Sequence, residues 1–314
     1  MDLSIIIINW NTRDMLRDCL NSVLENAPDC RHEIVVVDNA STDGSQEMVR
    51  AEFKSVRLIE NARNMGFAAA NNVAIEQTNG SFFLLLNSDT LVHGDVLQKS
   101  FDYIRDNTAV GAMGCRVLNR DGSLQHSTSL FPSFANLFYQ TLALDRLQGV
   151  PRFRQYRMLD CTRDQACSVE TVSGCFMMVR RACANGVGLL DDSFFFFGEE
   201  TDWCKRMRRR GWQVHFAPVG TITHFGGGSS ASLNHRRDLM LSQATVRLHR
   251  KHYGIVRALC VYVLLLAFNA SRAALWCLFG LIAIKRTAWR RGIHFVGVTR
   301  NFLRAWPAGK GAML

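Results

Sequence analysis

The 314-residue sequence has little of several features that define other classes of protein. Five prolines and 23 glycines are too few for long flexible linkers. The ten cysteines include no C-x-x-C pair and no zinc-type spacing with histidine, so we expect reduced, mostly buried thiols. The first residues lack the pattern of a secretory signal, so we expect a protein that is not secreted. With 48% apolar and 20% charged residues, the composition excludes a disordered or fibrous chain.

Acidic residues are almost absent from the last quarter of the chain. Residues 234–314 carry 14 Lys and Arg but one acid, Asp238, which gives a net charge of +13. Residues 1–233 carry 23 basic and 26 acidic residues, a net charge of −3. Because the basic excess is confined to one segment, an anionic membrane surface is favoured as its partner over nucleic acid.

Three common motifs of catalysis and nucleotide binding are also missing. There is no G-x-x-x-x-G-K-[ST], no G-x-G-x-x-G after the first strand and no G-x-S-x-G. A nucleotidyltransferase should carry a glycine-rich, basic loop after its first strand, and residues 9–12 (NWNT) are not such a loop.

The first 90 residues alternate between apolar strands and amphipathic helices. Strands are predicted at 4–9, 33–38, 56–60 and 82–86, and helices at 12–26, 46–53 and 65–78. This alternation predicts an α/β fold with a mostly parallel, doubly wound sheet, which binds its ligand at the carboxyl ends of the strands.

Polar residues stand at those predicted strand ends. Asp38 could accept hydrogen bonds from a base or ribose, or it could form an Asx-turn that caps the next helix. Asn64, Gly66 and Asn71 place amides near a helix start, which suits an anion or nucleotide as well as simple capping. Asp89 follows a hydrophobic strand, where a divalent cation on a diphosphate would give its carboxylate a partner.

The rest of the chain adds a cluster of acids and a histidine. Further elements are predicted as strands at 109–118, 169–179 and 213–217, a helix at 199–210 and a loop at 129–159. Glu199, Glu200 and Asp202 lie at the start of that helix, where mutual repulsion should raise one pKa and so suit a general base. Acids there also complement the helix dipole. His224 could join Asp89 as a metal ligand.

Seven segments combine these features. They are IIIINWN (5–11), VVVDNASTDGS (35–45), NARNMGFAAANN (61–72), LLLNSDT (84–90), VSGCFMMVRR (172–181), FFFFGEETDWCKRMRRRGW (194–212) and THFGGGS (223–229). In this order and spacing they resemble the family 2 glycosyltransferases with a GT-A fold, and most closely the bacterial rhamnosyltransferase-like branch.

The resemblance implies a role for each candidate residue. The nucleotide would be held by Asn9, Asp38, Asn39, Asn64, Gly66 and Asn71. Asp89 matches the last position of the family's D-x-D motif, which holds Mn²⁺ or Mg²⁺ on the donor diphosphate, and His224 matches a later metal-contacting histidine. Asn87 stands in place of the first Asp of D-x-D.

The resemblance also implies the reaction. Glu200 matches the general base of the family's E-D motif, with Glu199 and Asp202 as alternatives because Glu replaces Asp. The implied enzyme is inverting and metal-dependent. It moves a sugar from a nucleotide-diphospho-sugar, dTDP-rhamnose first and a UDP-hexose next, to a glycan hydroxyl. We expect a polyprenyl-diphosphate-linked acceptor in cell-surface polysaccharide synthesis; the alternative is a non-catalytic membrane-associated scaffold.

The change in composition predicts a catalytic domain over 1–232 and a helical, membrane-associating region over 233–314. Residues 258–284 are apolar except for Asn269, Ser271 and Arg272, and this run is long enough to cross a bilayer. The charge of Arg272 makes a crossing costly. The run could span the membrane, bend into two interfacial helices or pack as a soluble pair. We expect a cytoplasmic protein at the inner face of the cell membrane.

Overall fold

The computed structural model describes residues 1–147, 150–158, 163–226, 235–283 and 286–307. Cys161, residues 227–229 of the last motif, residue 284 of the apolar run and the predicted domain boundary lie outside these ranges. The chain divides into two compact units. The first unit consists of Met1–Phe131, Arg157–Asp192 and Glu199–Ser229, and the second of Pro132–Tyr156, Ser193–Gly198 and Ser230–Leu314. The division into a catalytic and a membrane-associating domain stays a prediction.

Strands and helices alternate along the described residues. The strands are β1 (Leu3–Asn9), β2 (His32–Asp38), β3 (Arg57–Glu60), β4 (Phe82–Asn87), β5 (Thr90–His93), β6 (Val110–Leu118), β7 (Thr128–Ser129), β8 (Cys167–Ser168), β9 (Thr171–Val172), β10 (Phe176–Arg180) and β11 (Gln213–His224). The helices are α1 (Arg13–Glu25), α2 (Ser45–Glu52), α3 (Phe67–Gln77), α4 (Val96–Asp106), α5 (Phe134–Thr141), α6 (Pro151–Arg154), α7 (Arg181–Val187), α8 (Glu199–Arg209), α9 (His235–Tyr253), α10 (Ile255–Ala283) and α11 (Arg286–Arg300). Short 3₁₀ turns are Leu144–Arg146, Gln155–Arg157 and Phe302–Ala305.

A sheet of nine described strands forms the centre of the first unit, in the order β3-β2-β1-β4-β10-β6-β11-β5, with β8 also paired to β11. The pairs β3–β2, β2–β1, β1–β4 and β6–β11 are parallel. Strand β10 lies antiparallel to both β4 and β6, so those two strands share one direction. Six of the nine strands therefore run the same way, and the predicted α/β fold with a mostly parallel sheet is confirmed.

The apolar strands separate two hydrophobic clusters. In β1, Ile5 and Ile7 belong to one cluster and Ile6 to the other, because successive side chains of a strand point to opposite faces. Helices α1, α2 and α4 contribute to the first cluster, and α3, α7 and α8 to the second. Both faces of the sheet are thus covered, which explains why β1 and β4 are continuous apolar runs. The nine described cysteines are free, and five are buried.

The register of the parallel strands brings their last residues together. Asn9 is paired with Asp38, Asp38 with Glu60, and Ile8 with Asn87. Polar side chains from β1, β2 and β4 therefore lie side by side at the carboxyl edge, as the alternation of elements predicted.

Three sequence predictions about elements were wrong in detail. The strand predicted at 169–179 is divided into β9 and β10, and a Cβ added at Gly174 between them would lie 3.2 Å from the ring of Phe67. Strand β11 continues beyond 213–217 to His224, with an irregular register between Phe216 and Thr221. The predicted loop at 129–159 contains α5, whose first turn is capped by Ser133 through a hydrogen bond from the Asn136 amide.

The second unit contains α5, α6, α9, α10 and α11. Helix α10 runs unbroken through Asn269 and Arg272, so the possible bend at these residues is absent. The Asn269 amide donates to the Leu265 carbonyl inside the helix, and the Arg272 guanidinium donates to the Thr141 carbonyl. Among the described helices, α10 alone is long and apolar enough, over Ile255–Ile282, to cross a bilayer.

Candidate active site

The carboxylate of Asp38 is held at the edge of the sheet by three protein donors. Its Oδ1 accepts from the Ser41 amide at 2.8 Å and from Gln46 Nε2 at 2.7 Å, and its Oδ2 accepts from Asn9 Nδ2 at 2.8 Å. Asp38 is 1% exposed. The Ser41 amide is three residues from Asp38, so this contact is not an Asx-turn, and α2 begins after Gly44 without a side-chain cap from Asp38. A carboxylate has about four acceptor positions, so the described donors leave one for a ligand.

Asn39 connects the end of β2 to the loop before α3. Its Oδ1 accepts from Asn61 Nδ2 at 2.8 Å, and its Nδ2 donates to the Gly66 carbonyl at 3.3 Å. The Gly66 amide donates to Asn64 Oδ1 at 2.9 Å, and a φ of 84° makes glycine the suitable residue at this turn. The structure therefore brings Asn39, Asn64 and Gly66 together.

Asn71 differs from these loop residues because its side chain is fully buried within α3. Its Nδ2 donates to the Phe67 carbonyl at 2.9 Å, and its Oδ1 has no partner among the described residues.

Thr12 was missed by the sequence analysis although it joins two of the strand ends. Its hydroxyl donates to Asn9 Oδ1 at 2.7 Å and lies 2.8 Å from Ser88 Oγ. Its position directly after the IIIINWN segment was the available signal.

Asn87, Asp89 and His224 meet where β4 ends and β11 ends. His224 Nε2 lies 3.2 Å from Asp89 Oδ1 and 3.2 Å from Asn87 Nδ2. The Phe225 amide donates to the Asp89 carbonyl at 3.0 Å, which holds the two segments together. The predicted pair of metal ligands is thus adjacent in the structure.

The donor atoms of this cluster fit a divalent cation. An imidazole nitrogen and a carboxylate oxygen suit Mn²⁺, whereas Mg²⁺ prefers oxygen ligands alone. No group of three or more His, Cys, Asp or Glu side chains among the described residues could hold a metal ion. A cation at Asp89 and His224 would therefore need further ligands from Asn87, water or a substrate.

The three acids at the start of α8 have different surroundings. Glu199 is 4% exposed, and its Oε2 has no partner among the described residues. Burial, with a smaller contribution from Glu200, raises its pKa well above 4.5. Asp202 is fully buried and accepts a hydrogen bond from Arg206 Nε at 2.8 Å, whereas Glu200 is partly exposed. One pKa is raised as expected, but burial is the main cause.

Cys175 lies close enough to Asp89 and Glu200 to be affected by the charges of both. Burial is the main cause that raises the pKa of this thiol to about 11, and the charges of Asp89 and Glu200 make smaller contributions in the same direction. The Cys175 carbonyl accepts from the Asn87 amide at 3.1 Å. Both carboxylates therefore act on the same buried side chain of the first unit.

Solved structures of glycosyltransferases show that the fold is of the GT-A class. The structure is similar to the mannosyltransferase PcManGT from Pyrobaculum calidifontis, solved with GDP-Man and Mn²⁺, with a TM-score of 0.57, 16% identity and coverage of 96% of this chain and 86% of that one. It is also similar to GalNAc-T7, solved with UDP, GalNAc and Mn²⁺, with a TM-score of 0.58, 14% identity and coverage of 80% and 48%.

The model of the glycosyl transferase family 2 matches residues 4–188, which is more than half of the chain. The protein therefore belongs to glycosyl transferase family 2 and is a glycosyltransferase, as the seven segments implied.

Two relatives align with most of the chain. The low-salt glycan biosynthesis hexosyltransferase Agl10 of Haloferax volcanii is 24% identical over 71% of this chain and 67% of its own length. The N-acetylglucosaminyl-diphospho-decaprenol L-rhamnosyltransferase of Mycobacterium tuberculosis is 24% identical over 61% of this chain and 66% of its own length. The chain thus spans about two thirds of each relative.

We expect Glu199→Gln to change how stability depends on pH. Because the folded state raises the pKa of Glu199, it retains a proton that the unfolded chain releases above its ordinary pKa of 4.5. The free energy of unfolding should therefore fall as pH rises from that value towards the raised pKa, by at most about 1.4 kcal/mol per pH unit for one proton. In the variant, the free energy of unfolding should not show the part of this fall that Glu199 causes.

Urea unfolding between about pH 5 and pH 8 measures this difference. Glu25→Gln, at an exposed position of α1, is the matched control and should keep the wild-type slope. Equal slopes for the wild type and Glu199→Gln would contradict a neutral Glu199.

Proposed function

We propose that the protein is an inverting, metal-dependent transferase that moves a sugar from a nucleotide-diphospho-sugar to a hydroxyl of a lipid-linked glycan. The observation that carries this proposal is the approach of Asp89 Oδ1 to His224 Nε2, at 3.2 Å, near the end of β4. Asn9 and Asp38 lie at the ends of the neighbouring strands. The same sheet edge thus offers ligands for a cation and acceptors for a nucleotide.

The donor is proposed from the relatives. One is named as an L-rhamnosyltransferase of N-acetylglucosaminyl-diphospho-decaprenol, which supports dTDP-rhamnose as the donor and a polyprenyl-diphosphate-linked glycan as the acceptor. A UDP-hexose is the second choice, since another relative is named as a hexosyltransferase. Both names fit a role in cell-surface polysaccharide synthesis.

The nucleotide-binding role belongs to the residues that the sheet edge and the loop before α3 bring together, with Asn71 as a buried support of α3. These residues are Asn9, Asp38, Asn39, Asn64 and Gly66. Asp89, His224 and Asn87 would hold Mn²⁺ or Mg²⁺, and the bound cation would offset the negative charge that develops on the departing diphosphate.

Glu200 is the proposed general base. It is partly exposed, whereas the raised pKa of Glu199 favours the protonated form of that side chain and Asp202 is paired with Arg206. Glu200 removes the proton of the acceptor hydroxyl, whose oxygen forms a bond to the anomeric carbon. The bond from that carbon to the diphosphate oxygen breaks on the opposite face, so the configuration inverts.

Titration calorimetry with dTDP, UDP and GDP tests the donor site, each with Mn²⁺ and with EDTA. We expect one nucleotide to bind only with Mn²⁺, and Asp89→Asn to weaken that binding at least about tenfold because it removes a charged ligand. Asp95→Asn is the control, since Asp95 forms an exposed ion pair with Lys99. If no nucleotide binds, the proposed donor site is wrong.

Glu200→Gln separates catalysis from binding. We expect unchanged nucleotide affinity and a loss of about 10²–10⁴-fold in kcat, the usual contribution of a general base. The assay measures release of dTDP from dTDP-rhamnose with a short-chain N-acetylglucosaminyl-diphospho-prenol as acceptor. Glu25→Gln should retain full activity. If Glu200→Gln kept the wild-type kcat, Glu200 would not be the general base.

The second unit is proposed to bind the inner face of an anionic membrane. Its exposed apolar side chains include Val256, Val263, Leu281, Ile282 and Leu303, which are 61–84% exposed. The chain from residue 234 onward has a net charge of +13. Exposed apolar groups beside basic ones are typical of segments that lie on anionic lipid.

The packing of α10 against α11 favours an interfacial position over a crossing. A Cβ at Gly280 would lie 3.1 Å from the Trp289 backbone, and one at Gly292 would lie 3.0 Å from the Cys277 backbone. The helices therefore pack closely along their length. If α10 crossed the bilayer, α11 would enter the bilayer with it. The charged residues of α11 include Arg286, Arg290, Arg291 and Arg300, and each arginine near the centre of a bilayer costs about 2.5–3.5 kcal/mol.

Sedimentation with vesicles checks this position. We expect the protein to sediment with phosphatidylglycerol vesicles and to stay in the supernatant with neutral phosphatidylcholine vesicles. High salt should release the protein from the phosphatidylglycerol vesicles. Ile282→Ser should weaken binding about tenfold, since burial of such a side chain is worth about 1.5–3 kcal/mol. Leu24→Ser, on the first unit, is the control. Resistance of membrane-bound protein to carbonate extraction would instead indicate a crossing.

A further inference from the structure

A tight turn after β6 places Gln125 beside His224. The Gly122 amide donates to the Asn119 carbonyl at 2.9 Å, with a φ of +80° at Gly122 that glycine tolerates. The backbone amide of Gln125 donates to the Val117 carbonyl at 2.8 Å. Because β6 and β11 are parallel neighbours, with Leu118 paired to Thr223, this turn lies next to the end of β11.

Hydrogen bonds within the turn determine which way the side-chain amide of Gln125 faces. The carboxylate of Asp121 can only accept, so Ser123 Oγ donates its one proton to Asp121 Oδ1 at 2.5 Å. Ser123 Oγ must therefore accept in its second contact, which is the hydrogen bond from Asn119 Nδ2 at 2.9 Å. The oxygen of Asn119 then faces Gln125, whose Nε2 donates to it at 2.7 Å. The Gln125 nitrogen also donates to the His224 carbonyl at 3.3 Å.

The remaining atom of the Gln125 amide is its oxygen, which lies 2.7 Å from His224 Nδ1. A carbonyl oxygen accepts hydrogen bonds and cannot donate them, so Nδ1 carries the proton. In the neutral imidazole, which is the form that binds cations, a proton on Nδ1 leaves a lone pair on Nε2. This lone pair faces Asp89 Oδ1 and the amide nitrogen of Asn87.

We propose that Gln125 is a positioning residue that holds His224 in the Nδ1-protonated tautomer, so that Nε2 and Asp89 together present electron pairs to the divalent cation of the donor complex. This inference rests on the proposed function, because the cation belongs to that site. Asp121, Ser123 and Asn119 transmit the orientation to Gln125 through hydrogen bonds of fixed polarity. Second partners of this kind orient the histidines that bind metals in other proteins.

A purely structural Gln125 makes a different prediction, and the variants separate the two. If the residue only supports the turn, its donor bonds to Asn119 and to the His224 carbonyl are what matter, and Gln125→Glu and Gln125→Leu should be equally harmful. If its oxygen orients His224, Gln125→Glu keeps that acceptor and should retain function, whereas Gln125→Leu removes it. Gln213→Leu is the matched control, since Gln213 accepts from a different histidine, His215.

The test uses the full chain labelled with ¹⁵N-histidine. Nitrogen NMR near pH 8, where an unperturbed imidazole is neutral, reads the tautomer of His224 directly, and His224→Gln identifies its signals. We expect Nδ1–H in the wild type and in Gln125→Glu, and a shift towards Nε2–H in Gln125→Leu. Mn²⁺ affinity, followed by electron paramagnetic resonance with dTDP present, should fall about 10–100-fold in Gln125→Leu and stay near the wild-type value in the other two variants.

The outcomes distinguish this inference from the proposed function. An Nε2–H tautomer in the wild type would overturn the inference even if Gln125→Leu failed to fold. Wild-type Mn²⁺ affinity in Gln125→Leu would overturn the inference and leave the metal site intact. A wild-type protein that binds no Mn²⁺ under these conditions would overturn the proposed metal site itself.

Discussion

The site depends on one constraint, which is that β1, β2 and β4 each end with an apolar run, residues 5–8, 34–37 and 82–86, before a polar last residue. A buried strand cannot carry an ionisable side chain without a partner, so polar groups appear only where the strands leave the core. The parallel register then places the ends of these strands side by side, as the pairing of Asn9 with Asp38 shows. The packing of the sheet alone therefore brings the candidate binding groups together, without a contribution from a ligand.

The carboxylates around this edge are stabilised in different ways, and the differences divide their roles. Asp38 is fixed by amide and backbone donors, and Asp202 by a guanidinium. Among the described residues, one oxygen of Glu199 has neither kind of partner, and its raised pKa favours the protonated form. Asp89 faces an imidazole nitrogen. Four acids of similar intrinsic chemistry thus become a proposed nucleotide-side acceptor, a structural ion pair, a group with a raised pKa and a candidate metal ligand.

Much of this arrangement could be predicted from the chain, because apolar runs and turn residues depend on local patterns. The first four strands and the position of Asp38 and Asp89 at their ends follow from that pattern. The antiparallel insertion of β10 could not be predicted, since periodicity indicates a strand but not its neighbours. Gln125 was also missed, because its contact joins residues 99 positions apart and depends on the polarity of a turn.

The two halves of the sheet edge differ in how far apart their components are along the chain. The contact between Asn9 and Asp38 joins residues 29 positions apart, whereas that between Asn87 and His224 joins residues 137 positions apart. Since β11 supplies the second contact, the nucleotide side can form on a ribosome-bound chain long before the cation side is complete. Contacts of large sequence separation also form slowly, so the later of these two halves to mature is the one proposed to activate the leaving group.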